Sequence, residues 1–187
     1  RLDTVNVTGL RDTPLDDVTA AVSVLTADDL SIRNSVNPAD QLRAVPGVGV
    51  SRSGSVGGLT QIRLRGAEAN HTLVLLDGIE VSDPTTGETD FGLLTGVGAG
   101  RIEVRRGEAY SIYGSDAIGG VVSIETAEAD GRVRGHAEIG TQDTGRGHVA
   151  YSQAGQSSAF GVAASAFTTG GVDTSGRGGE KDGSDSY

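Results

Sequence analysis

The stretch "YGSDAIGGVVSIET", Tyr113 to Thr126, sets the architecture. It reads as a polar helical turn punctuated by glycine, then the pair Gly119–Gly120, then a β-branched strand. It carries no nucleophile–base pair, no metal-ligand spacing and no phosphate loop. Just before it, "RIEVRRG" (101–107) alternates Ile102 and Val104 with charged residues, a strand with one face inward. "HTLVLLDGIEV" (71–81) gives a buried strand and then Asp77-Gly78, a tight-turn signal. "TQIRLRG" (60–66) turns Ile62 and Leu64 to one face and Arg63 and Arg65 to the other. Further back, "NPADQLRAVPG" (37–47) is a short helix: Asn37 caps it, Pro38 opens it, and Pro46-Gly47 stops it. "AAVSVLTADDL" (20–30) is a strand running into a helix capped by Thr26 with Asp29 three residues on. The segment 11–130 is therefore expected to be a small α+β domain of short strands and helices.

The pattern changes beyond Asp130. Val133, Ala137 and Ile139 alternate with Arg134, His136 and Glu138. Val149 and Tyr151 alternate with His148, Ala150 and Ser152. Phe160, Val162, Ala164 and Ala166 share a face opposite Gly161, Ala163 and Ser165. Segments of about ten residues, apolar on one face and polar on the other, fit the strands of a membrane β-barrel. The same alternation fits a half-buried antiparallel meander. His136 and His148 are expected to face each other across the first hairpin on its polar side, and His71 lies on a separate element.

Bulk properties narrow the classes. The 187 residues include no Cys, so disulfides, thiol catalysis and zinc fingers are excluded. Net charge is −10, which disfavours a nucleic-acid partner. The longest apolar run, Leu73–Leu76, is far short of the ~20 residues of a membrane helix. The opening "RLDTVNVTG" lacks the basic start and apolar core of a secretion signal, leaving a cytosolic chain or one whose signal has been removed. Ser111, Ser115 and Asp116 have no histidine base nearby in sequence, so no enzyme is expected. The alternative of another class, a soluble or surface β-rich adhesin, would show a fixed repeat period, and none is present.

The motifs "NPADQLRAVPGV", "IRLRG", "TLVLLDGIEV" and "RIEVRRGEAYSIYGSDAIGGVVSI", in this order, resemble the plug domain of TonB-dependent outer-membrane receptors. The resemblance covers nearly all of residues 3–126. "GGLTQIRLRG" followed by "TLVLLDG" is most similar to the vitamin B12 (cobalamin) receptors of that family, whose siderophore and haem receptors share much of the framework. The resemblance implies a TonB box and extension at 1–10, a plug at 11–130, and at 131–187 the first three barrel strands with an acidic extracellular loop. It implies location in the bacterial outer membrane, contact with its lipid, and transport of a corrinoid or, alternatively, a ferric siderophore or haem.

Residue roles follow from the same likeness. Asp3, Thr4, Val5, Asn6, Val7 and Thr8 would bind the energy-transducing TonB protein by strand addition. Arg65, Glu103 and Arg106 would belong to the charge cluster locking plug to barrel wall, where arginine's planar fork suits carboxylates. Leu59, Thr60, Thr85 and Thr86 would face the ligand on apical loops 51–61 and 82–90. No cofactor is required. Asp173, Glu180, Asp182 and Asp185 read either as an acidic loop without an ion or, offering the oxygen donors calcium prefers, as a site for Ca2+ as a structural ion. A gate would also explain why so specific a stretch carries no reactive chemistry.

Overall fold

The computed structural model describes residues 6–7, 13–14, 21–33, 35, 37–95, 98–107, 113–126, 130–155, 158–171 and 184–186. The described strands are, in chain order, β1 (Asn6–Val7), β2 (Thr13–Pro14), β3 (Ala21–Leu25), β4 (Val48–Arg52), β5 (Thr60–Leu64), β6 (Thr72–Leu76) and β7 (Ile79–Glu80). They continue with β8 (Arg101–Arg106), β9 (Gly120–Glu125), β10 (Asp130–Gly140), β11 (Thr144–Ala154), β12 (Ala159–Thr169) and β13 (Ser184–Ser186).

Local chemistry begins both helices. At α1 (Ala27–Arg33) the Asp29 carboxylate accepts from Thr26 N and Oγ1 at 2.9 and 2.7 Å, while Thr26 Oγ1 accepts from Asp29 N–H. The backbone bond from Thr26, then the hydroxyl bond, holds the Asp29 carboxyl below its ordinary value. The cap is thus complete above the ordinary carboxylate range and fades as pH falls through the lowered value. At α2 (Pro38–Leu42) Asn37 is fully buried and accepts from Ala39 N–H at 2.8 Å. Its amide donates to Phe91 O at 2.7 Å and Thr95 Oγ1 at 3.0 Å, so one side chain fixes the helix to a distant 3₁₀ turn, Phe91–Leu94.

The opening stretch becomes the centre of a sheet ordered β3-β8-β9-β6-β7 among the described residues. Strand β9 runs antiparallel to β8 and parallel to β6. One sheet face carries Leu25, Ile102, Val104, Val74, Val122 and Ile124, and packs with Leu30, Leu42, Ile62, Leu64 and Phe91 into the main core. Each such fully buried side chain contributes about 1.5–3 kcal/mol. The other face meets the 3₁₀ turn Ser115–Ala117, whose buried Ala117 packs on Leu73 and Val121. Asp77 and Gly78 form the turn between β6 and β7 with φ of 49° and 82°. The Asp77 carboxylate then accepts from Thr126 N and Oγ1 at 2.9 and 2.8 Å, fixing the chain just before it enters the second sheet.

That second sheet is an antiparallel meander, β10-β11-β12-β13. Strands β10, β11 and β12 are each 11 residues long, the length that crosses a bilayer when tilted. Val133, Ile139, Phe160 and Val162 are 71%, 91%, 61% and 62% exposed, whereas Ala150, Ser152 and Phe167 on the opposite face are buried. On that same face Arg146 pairs with the half-exposed Glu138 at 2.6 Å. A water-facing meander would bury the apolar side. This one does the reverse, as a barrel wall does, and the barrel is not closed among the described residues. His136 and His148 are cross-strand partners, as expected.

Two expectations need correction. The segment 51–61 is not all loop, since β4 pairs with β5 from Val48↔Leu64 to Arg52↔Thr60. The wall has a fourth described strand, β13, which pairs Asp185 with Thr168, so Asp185 belongs to a strand rather than to the acidic loop.

Candidate functional site

The two apical loops come together. Asp90 Oδ1 accepts from Thr60 N–H at 2.9 Å and from Gly92 N–H at 2.8 Å, bridging the two segments. Gln61 Nε2 donates to Glu88 Oε2 at 2.5 Å. Gly92 lies so close to the other loop that a Cβ there would overlap Gly58 O and stand 2.8 Å from Gly57 O. Within the second loop, Asp83 Oδ1 accepts from Thr85 and Thr86 N–H at 2.7 and 3.0 Å. The Thr86 bond, then the Thr85 bond, holds the Asp83 carboxyl below its ordinary value, so these bonds are complete above the ordinary carboxylate range and fade as pH falls through the lowered value.

These ties decide what the surface offers. Leu59 is 49% exposed, and Thr85 and Thr86 are exposed as well. Thr60 is fully buried: its hydroxyl donates to Gly58 O at 2.8 Å and accepts from Arg52 Nε at 3.1 Å. It shapes the loop from beneath, whereas Leu59 and the two threonines present themselves. The sequence signal for Asp90 is its place as a carboxylate just before "FGLL", a helix-cap position. Asp90→Ala removes the shared acceptor and is expected to cost about 2 kcal/mol and to weaken ligand binding. Asp90→Asn keeps an acceptor oxygen and should recover most of the loss in the same titration.

The charge trio divides between two places. Arg106 donates to Ala21 O (3.2 Å), Ser23 Oγ (2.8 Å) and Pro46 O (2.5 Å), clasping the edge strand β3 and the loop after α2. Arg65 lies beside it: a Cβ on Gly47 would sit 3.6 Å from Arg106 Cδ and 3.7 Å from Arg65 Cγ. Glu103 projects from the opposite face of β8, is 4% exposed, and lies 3.6 Å from Arg101 and 3.7 Å from Arg105. Arg101 and Arg105 alternate with Glu103 in sequence, which is the signal for that grouping. Arg106→Ala is expected to speed amide exchange in β3 while leaving β6 and β9 protected.

Of the N-terminal motif, Asn6 and Val7 are extended and pair with Pro14 and Thr13. Asp3, Thr4, Val5 and Thr8 lie outside the described residues, as do Asp173, Glu180 and Asp182. No group of three His, Asp or Glu suited to a metal occurs among the described residues.

A core sheet centred on the strand that follows the "YGSDAIGG" turn, beside a wall that is apolar outward, defines a plug with the start of a transmembrane barrel. Residues 14–121 match the TonB-dependent receptor plug domain, and the chain belongs to that family. It is 37% identical over 155 residues to the vitamin B12 transporter BtuB of Vibrio vulnificus, a match covering 82% of this chain and 25% of that protein. It is 39% identical over 118 residues to BtuB of Photobacterium profundum, covering 63% and 19%. Among solved structures, a ferric enterobactin receptor from Pseudomonas aeruginosa superposes with a TM-score of 0.60 at 29% identity, over 83% of this chain and 25% of that one. The siderophore receptor PirA from Acinetobacter baumannii gives 0.60 at 26%, over 82% and 25%. The chain thus spans about a quarter or less of the length of the relatives it matches.

Proposed function

We propose that this chain is the gate and first wall strands of an outer-membrane importer that takes up cobalamin or another corrinoid, driven by TonB. The observation that carries the reading is the 37% identity to a B12 transporter along 155 residues, which must reach beyond the plug into the wall. The gate performs no bond chemistry. Its parts hold, release and seal, and energy enters as force on the extended N-terminus.

A siderophore is the second reading, favoured by the solved structures of siderophore receptors. The apical loops argue against an anionic iron chelate. They carry Asp83, Glu88 and Asp90, and Arg52 is already engaged by Asp40 at 2.8 Å. A ligand rich in neutral amides meets that surface without repulsion.

Calcium enters this proposal as a stabiliser of the acidic loop containing Asp173, Glu180 and Asp182, with Asp185 at its exit. Four carboxylates drawn together without a cation repel one another, and a divalent ion would offset that repulsion. Cobalamin titration of the full-length receptor, with and without a chelator, tests both points. Binding weakened by chelator is expected. Binding indifferent to chelator would remove the calcium alone, and no binding in either condition would remove the corrinoid.

A further inference from the structure

One contact between plug and wall depends on shape rather than charge. Gly98 lies in the segment leading into β8, and two residues on Gly100 N–H donates to Glu125 O at 2.8 Å, tying that segment to the sheet. The His148 imidazole of β11 rests on Gly98. A Cβ built there would overlap ring atoms Cε1 and Nε2 and stand 2.7 Å from Nδ1. The Gly98 backbone is not in the left-handed region, so conformation does not call for glycine at this position. Room for the ring does.

The ring is also supported from behind. His136 backs it with ring centroids 5.8 Å apart and planes inclined at 35°. His148 Nδ1 is buried without a hydrogen-bond partner among the described residues, so at that atom the seat is steric. Close packing of this kind is short-ranged: a gap of about 0.5–1 Å forfeits a quarter to a half of the contact attraction. A displacement of about an ångström therefore weakens the seat substantially.

We propose that His148 is a positioning residue that seats the plug on the barrel wall, a knob filling the hole left by Gly98 and backed by His136. The proposal rests on the gate reading of this domain. Gly98→Val puts two knobs in one hole and should hold the plug off the wall. His148→Ala alone empties the hole. In the double variant the valine fills the space the imidazole vacates, so the seat re-forms with the knob on the other side.

The test uses the full-length receptor in planar bilayers, read as ion conductance without ligand. Gly98→Val is expected to raise conductance several-fold and His148→Ala to raise it less. The double variant should fall back below Gly98→Val alone, which a merely structural defect at either position would not produce. A double variant as leaky as Gly98→Val, or leakier, overturns the seat. So does a Gly98→Val receptor as tight as the parent. A second measurement stands even if the valine variant does not assemble. A Gly98→Cys, His148→Cys pair should be bridged by a short bifunctional thiol reagent that spans the place of the imidazole, with each single-cysteine variant as control, and failure to bridge the pair in the assembled receptor overturns the contact. Cobalamin uptake by the unaltered receptor tests the gate reading separately.

Discussion

Val7→Pro is expected to abolish cobalamin accumulation while leaving cobalamin binding unchanged. Strand addition to a partner depends on backbone donors and acceptors, and proline removes the donor at its position and fixes φ near −65°. Val7 already lies in an extended pair with Thr13, the conformation that an added strand requires. Among the described residues that small pair, β1-β2, is a sheet separate from the five-stranded one, so disturbing it is expected to leave the plug core and the apical loops alone. Uptake by cells and equilibrium binding by purified receptor separate the two effects. A Val7→Pro receptor that accumulates cobalamin at the parental rate would show that the N-terminal segment is not where force enters.

The second large effect is expected at Asn37. Asn37→Ala removes the α2 cap and leaves Phe91 O and Thr95 Oγ1 without the amide that reaches them. A lost cap costs about 1 kcal/mol and a stranded buried polar group about 1–3 kcal/mol. A total near 3 kcal/mol corresponds to roughly a hundredfold faster amide exchange where opening is local. The loss should appear at both ends of the link, around Ala39 and around Thr95. Because the 3₁₀ turn starts at Phe91, directly after Asp90, the apical loops should loosen with it. Faster exchange at Ala39 alone would mean that the long-range amide bonds contribute little.

Much of this architecture is legible because its signals are local. The Thr26–Asp29 box, the Asn37 cap and the Asp77-Gly78 turn each need only a few adjacent residues, and each forms as read. The two faces of β10, β11 and β12 follow from alternation alone, and register then brings His136 opposite His148. What stays hidden depends on distant partners. Val48–Arg52 sits in a glycine-rich run and becomes a strand only because β5 supplies its ladder. Ser184–Ser186 is polar and short, and pairs only because the edge of β12 is available. Thr60 looks like a loop residue, yet Arg52 and Gly58 take its hydroxyl inward. Arg65 and Arg106 share a motif style with Glu103, but strand alternation sends Glu103 to the other face, where Arg101 and Arg105 meet it. The seat of His148 on Gly98 joins residues 50 positions apart, one in the segment before β8 and one on the second sheet, and no spacing rule reports it.

The most direct test of the whole account is uptake of labelled cobalamin by cells that lack their own corrinoid receptor and carry the full-length form of this one, with and without an uncoupler of the inner membrane. Accumulation above the empty-vector control that collapses with uncoupler is the predicted result. Cells that accumulate a ferric siderophore but no cobalamin, or cobalamin entry indifferent to the uncoupler, would contradict a TonB-driven corrinoid gate.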